Sequence, residues 1–136
     1  MKSRTLLCFD YGSKRIGSAV GQIITATATP LITINCYHNK PDWVSIEKLI
    51  HEWLPDAIVV GMPLNMDGSS QAVTEAAEKF ARQLEGRFSL PVFTMDERLS
   101  TFEAKHRSGL ETNIDSIAAQ AILETWLAEH RYEETD

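Results

Sequence analysis

This chain of 136 residues carries only two cysteines, Cys8 and Cys36, and no C-x-x-C spacing. That argues against a disulfide framework and against a cysteine-based zinc site, and both are expected as reduced thiols. No apolar run approaches the ~20 residues of a membrane span, and the first residues lack the basic, apolar and small-residue zones of a signal peptide. The expectation is a soluble cytoplasmic protein with no membrane partner. Also missing are G-x-G-x-x-G, G-x-x-x-x-G-K-[ST] and G-x-S-x-G, so dinucleotide, P-loop and hydrolase-elbow chemistry have no local support. His38, His51, His106 and His130 share no metal-ligand spacing and read as surface or helix-face residues.

Positive charge is scarce as well. Thirteen Lys and Arg against nineteen Asp and Glu give a net charge of −6, which argues against a protein that coats nucleic acid with a uniformly basic surface. The distribution is uneven. Lys2, Arg4, Lys14, Arg15 and Lys40 face Asp10 alone in the first forty residues, whereas residues 111–136 carry seven acids against Arg131. A polyanion can therefore approach one side while the tail Glu133-Glu134-Thr135-Asp136 stays clear, although a charge run of this kind is also simply a solvated tail.

At this length the chain is read as one domain, residues 1–136, able to bury a full core. Alternation places Leu6, Cys8 and Asp10 on one face of a strand and Leu7, Phe9 and Tyr11 on the other, the pattern of a strand covered on both sides. Gly12-Ser13-Lys14 punctuates, Arg15 to Gly21 reads as a second strand closing a hairpin, and Leu31 to Asn35 as a third. Trp43, Ile46, Leu49, Ile50 and Trp53 then fall at helical spacing, capped by Asp42 and stopped by Pro55, with the two tryptophans read as core. A strand over 57–61, a helix from about Ser70 to Glu85, a strand over 91–95, a helix opened by Ser100-Thr101-Phe102-Glu103, and a final helix from about Ile114 to His130 complete an α/β domain. The second helix has Val73, Ala76, Ala77, Phe80, Ala81 and Leu84 as its buried stripe.

Three acids stand in awkward places. Asp10 interrupts an apolar strand in phase with Leu6 and Cys8; the competing reading is an Asx-turn leading into Gly12. Glu97 follows the run Pro91 to Met95, at the carboxyl end of a strand where open sheets present ligands, although a surface pair with Arg98 also accounts for it. Asp115 shares a helix face with Ala118, Ala119, Ile122 and Trp126, which points its carboxylate toward the sheet and Asp10; capping of the helix dipole is the alternative. Acids brought together need a cation, and Mg²⁺ or Mn²⁺ would take hard oxygen ligands from all three.

Four strings carry a resemblance: Cys8-Phe9-Asp10-Tyr11-Gly12-Ser13-Lys14-Arg15-Ile16-Gly17, Val60 to Gly68, Asp96-Glu97-Arg98-Leu99-Ser100-Thr101, and Asp115-Ser116-Ile117-Ala118-Ala119. In this order, over nearly the whole chain, they resemble the YqgF family, described as candidate Holliday junction resolvases and as nucleases maturing the 5′ end of pre-16S rRNA. The resemblance implies a ribonuclease-H-like fold, a five-stranded mixed sheet with the second strand antiparallel and helices on both faces. It implies catalytic and metal-ligating roles for Asp10, Glu97 and Asp115, a tight hairpin shaped by Gly12 and Gly17, and a cleft lined by the loop from Gly61 to Gly68, Asn65 included. Many members carry a longer Lys- and Arg-rich stretch before the final Asp. Here it is short, Arg107 to Ile114, which shifts substrate grip to Lys14, Arg15, Arg98 and Lys105.

The function expected is Mg²⁺- or Mn²⁺-dependent hydrolysis of phosphodiester bonds in a ribosomal RNA precursor, part of ribosome biogenesis. Asp10 would be the bridging ligand, and Asp96 or Asp67 is a candidate for a further one. The alternatives are cleavage of a four-way DNA junction, which normally needs a symmetric dimer, and a non-catalytic nucleic-acid-binding module. Asp10-Tyr11-Gly12-Ser13 also resembles the phosphate-binding hairpin of actin-like kinases, but those use two lobes. A monomer or weak homodimer is expected.

Overall fold

The computed structural model describes residues 4–65, 67–68, 71–99 and 114–130. A mixed sheet carries seven strands: β1 (Thr5–Asp10), β2 (Arg15–Gln22), β3 (Thr27–Pro30), β4 (Ile34–Tyr37), β5 (Lys40–Pro41), β6 (Ala57–Met62) and β7 (Val92–Asp96). Their order is β5-β4-β2-β1-β6-β7, with β3 also on β2. β1, β6 and β7 run parallel, and β2 runs antiparallel to β1, β3 and β4.

Seven strands replace the five implied by the resemblance: β3 and β5 are additional, and the strand expected over 31–35 stands at Ile34–Tyr37. The Ile32 carbonyl is turned out of the ladder, accepting hydrogen bonds from the hydroxyls of Ser18 and Ser116, the latter at 3.0 Å. Ile32 thus lies between two strands on the same edge: β3 pairs with one end of β2 from Ala19 to Gln22, and β4 with the other at Arg15 and Ile16. β4 then folds onto the short β5 through His38 and Asn39, both at positive φ (54° and 64°), as a two-residue hairpin matching the strand twist requires.

Three helices stand among the described residues: α1 (Trp43–Trp53), α2 (Ala72–Phe88) and α3 (Ile114–His130). α1 begins as its sequence indicates, with the Asp42 carboxylate accepting from the Ser45 backbone N–H, and ends where Leu54 turns left-handed ahead of Pro55. α2 runs later than expected, to Phe88, where Ser89 adopts φ 55° and closes the helix. Its first turn is tied to the preceding loop by buried Thr74, whose hydroxyl donates to the Pro63 carbonyl and accepts from the Gln71 N–H. The helix expected from Ser100 onward lies outside the described residues; before it, Glu97–Leu99 form one 3₁₀ turn.

Both faces are covered. Leu7, Phe9, Ile58 and Val60 meet Ile46, Leu49, Phe80 and Leu84 of α1 and α2, while Leu6, Cys8 and Val59 meet Ala119, Ile122 and Leu123 of α3. Each fully buried side chain of this kind contributes about 1.5–3 kcal/mol of transfer free energy. Trp53 is a correction: it is 36% exposed, because it ends α1 beyond the sheet, whereas Trp43 packs on Phe80 at 5.6 Å between ring centres. The β7 edge is likewise less buried than its apolar sequence suggests, with Phe93 44% exposed, because the outer strand has one neighbour.

Candidate active site

The carboxyl ends of three parallel strands lie side by side. In register, Asp10 of β1 sits beside Gly61 of β6, and Met62 of β6 beside Asp96 of β7, so Asp10 and Glu97 emerge on either side of β6. Gly61 leaves the space between them open: a Cβ there would lie 3.7 Å from Asp10 Oδ1 and 3.7 Å from Glu97 Oε2, and 2.8 Å from the tip of Ile122. The two carboxylates thus border one narrow gap over Gly61, closed on a third side by Ile122, and Glu97 Oε2 is shielded from solvent. Glu97 does not form the surface pair with Arg98. That arginine turns to Asp96 instead, with two bonds of 3.0 Å from Nε and a closer one from Nη2.

Asp115 enters from the opposite side of Asp10. Gly17 pairs with Asp10 across β1 and β2, and a Cβ on Gly17 would lie 1.9 Å from the Asp115 carbonyl oxygen. The first turn of α3 therefore rests on the bare backbone of β2. Gly17 stands inside β2, as the strand expected over Arg15 to Gly21 has it, and serves the approach of α3. Gly12 does shape the hairpin turn, since a Cβ there would meet the Arg15 carbonyl at 2.6 Å. Ser116 fixes the approach: fully buried, it accepts from the Ser18 N–H at 3.1 Å and donates to Ile32. Ser18 and Ser116 were not singled out from the sequence, where only burial distinguishes them from ordinary serines.

The Asp115 carboxylate is held by Arg15, Nε to Oδ2 at 2.8 Å, with the side chains 30% and 58% exposed. Among the described residues no group of three His, Cys, Asp or Glu side chains is gathered tightly enough to hold a metal ion as it stands. The structure therefore brings Asp10 and Glu97 to one gap and sets the backbone of Asp115 against Gly17, the partner of Asp10, with its carboxylate on a guanidinium. The donor set suits a divalent cation of hard character, since the groups that face the gap are carboxylate oxygens.

The remaining site candidates are distributed around this centre. Lys14 and Arg15 are exposed on the β1–β2 turn and the start of β2. Asn65 uses its backbone carbonyl to accept from Arg98 at 3.3 Å and from the Gly68 N–H at 2.9 Å, so Arg98 fastens the loop after β6 to the end of β7. Hydrogen bonds from Arg98 hold Asp96 below the ordinary carboxylate range, which makes Asp96 a partner of arginine first. Lys105 lies outside the described residues, as does Arg107. Cys8 is no nucleophile: burial first, and then the charge of Asp10, raise its thiol well above the ordinary value.

A family model described as "RuvX: Holliday junction resolvase" matches residues 4–129. This chain belongs to the RuvX family. It is 56% identical over 133 residues to a candidate pre-16S rRNA nuclease of Pseudomonas putida, covering 91% of this chain and 94% of the relative. A relative of the same name from Pseudomonas paraeruginosa is 54% identical over 135 residues, covering 93% and 94%. The YqgF resemblance is thereby shown, since the family and the named relatives agree with it. Among solved structures, Thermus thermophilus RuvC in complex with a Holliday junction substrate superposes with a TM-score of 0.65 over 96% of each chain. At 15% identity that likeness is one of fold, a mixed α/β resolvase architecture. No described helix is long and apolar enough to cross a membrane.

Proposed function

We propose that this chain is a divalent-metal-dependent nuclease that hydrolyses phosphodiester bonds in structured RNA and processes the 5′ end of pre-16S rRNA. The observation that carries the reading is the shared gap above Gly61, bordered by the carboxylates of Asp10 and Glu97 at the carboxyl ends of β1 and β7. Asp10 and Glu97 would hold Mg²⁺ or Mn²⁺, with Asp115 as the third ligand on release from Arg15. Such an ion, when bound, polarises the phosphate and makes water a nucleophile at neutral pH. The protein's own share is positioning. Gly61 keeps the gap open, Gly17 and Ser116 bring Asp115 to the rim, and Arg15, freed from Asp115, stands with Lys14 where a phosphate backbone passes. Binding should therefore weaken as salt rises. The names of the RuvX relatives support RNA as substrate, and the family's description keeps a four-way DNA junction as the second reading.

The test is cleavage by the purified protein of a precursor fragment spanning the 16S 5′ end and of a synthetic four-way junction, each with Mn²⁺. Cleavage of the precursor is expected. Asp10→Asn should lower the rate at least about 10³-fold while the melting temperature stays near that of the parent. Wild-type turnover by that variant would overturn the assignment, and cutting of the junction alone would transfer it to DNA.

A further inference from the structure

On the face of the sheet away from the carboxylates, a groove of about 750 Å³ opens between the β4–β5 hairpin and α2. Its inner lining is aromatic: Tyr11, Phe80 and Trp43, with Tyr11–Phe80 ring centres 5.1 Å apart and Trp43–Phe80 5.6 Å. Its outer lining is basic: Lys40 from the hairpin, and Lys79 and Arg87 from α2, all exposed. The Arg87 guanidinium lies 4.0 Å over the Trp43 ring. Among the described residues no acidic side chain lines the groove, in a chain of net charge −6. Three cations gathered around a partly exposed Trp43, backed by the buried rings of Phe80 and Tyr11, are complementary to a ligand that combines negative charge with a planar ring. A nucleotide is such a ligand: bases stack on aromatic rings and on guanidinium planes, and lysines neutralise phosphates.

The groove is adjacent in the chain to the carboxylates. Tyr11 follows Asp10, and Ser13 also lines the groove. Three residues span at most about 11 Å, so the way from one face to the other leads over the β1–β2 turn, where Lys14 is exposed. We propose that this groove receives an unpaired nucleotide of the strand cut at Asp10 and Glu97, with its base on the Trp43–Arg87 platform and its phosphates on Lys40 and Lys79. The proposal deepens the nuclease reading and rests on it for the identity of the strand; the groove's own chemistry selects base plus phosphate, whether in a strand or as a free mononucleotide.

The experiment uses the full chain in EDTA with a fluorescein-labelled, unstructured 12-nucleotide RNA, read by anisotropy, and with adenosine monophosphate as competitor. Trp43 also packs on Phe80 and Phe88, so the exposed pair Lys40→Glu with Lys79→Glu carries the test. It should weaken binding by about tenfold or more and flatten the salt dependence, while Trp43→Ala, checked for folding by circular dichroism, should weaken it about tenfold. With Mn²⁺, the charge-reversed protein should lose activity only on a substrate with an unpaired extension beside the cut. Unchanged binding by the charge-reversed protein would overturn the proposal, and so would a monophosphate that binds as tightly as the 12-nucleotide strand, which would make the groove a free-nucleotide site; weak competition by the monophosphate is expected. The two readings fail separately. Groove binding without any cleavage removes the nuclease and leaves the groove, whereas cleavage indifferent to the charge reversal removes the groove and leaves the nuclease.

Discussion

Where α1 and α2 cover the sheet, the space is filled by side chains: Phe9, Ile46, Phe80 and Leu84 interlock, and the rings of Phe9 and Phe80 stand edge to face at 5.8 Å. Where the first turn of α3 covers it, backbone meets backbone, with Gly17 against the Asp115 carbonyl and the hydroxyls of Ser18 and Ser116 sealing the seam. The first kind of contact sets stability and tolerates exchange of one apolar residue for another of similar volume. The second fixes position, because an added methyl has no flexible neighbour to push aside. The acids stand on the second face.

The largest stability effect should fall on the side-chain-filled face. Leu84→Ala, at a fully buried position of α2, should cost about 2–5 kcal/mol in chemical denaturation, yet leave cleavage near normal well below its melting temperature. Gly17→Ala should cost about 3 kcal/mol but abolish cleavage at temperatures where the protein is folded, since α3 and Asp115 must retreat from Asp10. A Gly17→Ala protein with full activity would break the contrast between the faces. Ser116→Ala removes the acceptor of a buried Ser18 N–H and should cost about 1–3 kcal/mol, with activity falling more than in an Ala variant of equal cost on α2.

The smallest effect belongs to the Asp96–Arg98 clasp beyond both faces. Arg98 depresses the pKa of Asp96 in the folded state, so its contribution is present above the ordinary carboxylate range and is lost as pH falls through the lowered folded value. NMR titration of the Asp96 carboxyl should show the depressed midpoint, and Arg98→Gln should return it toward the ordinary value. An unchanged midpoint would mean that the loop after β6 is held by other contacts.

Much of this was legible along the chain. The phase of Asp10 with Leu6 and Cys8 put it on the α3 face; the period of Trp43 to Ile50 and the Asp42 cap marked α1; the apolar run ending before Glu97 put that acid at a strand's carboxyl end. Less legible was the fate of each charge. Arg15 and Asp115 are a hundred residues apart, and no local pattern says that a residue on the second strand will occupy the last acid. The break between β3 and β4 has a similar origin, since one of the two hydroxyls on the Ile32 carbonyl, that of Ser116, comes from α3.

Periodicity, capping and the strangeness of an acid in an apolar strand act within a few residues, and they decided the described helices and the central strands and singled out the three carboxylates as candidates. Which strand edge pairs twice, which arginine holds which acid, and how Trp43, Lys79 and Lys40 come to share one groove were decided by tertiary structure alone. Those contacts join positions far apart in sequence, and their geometry exists only once the two faces of the sheet are covered.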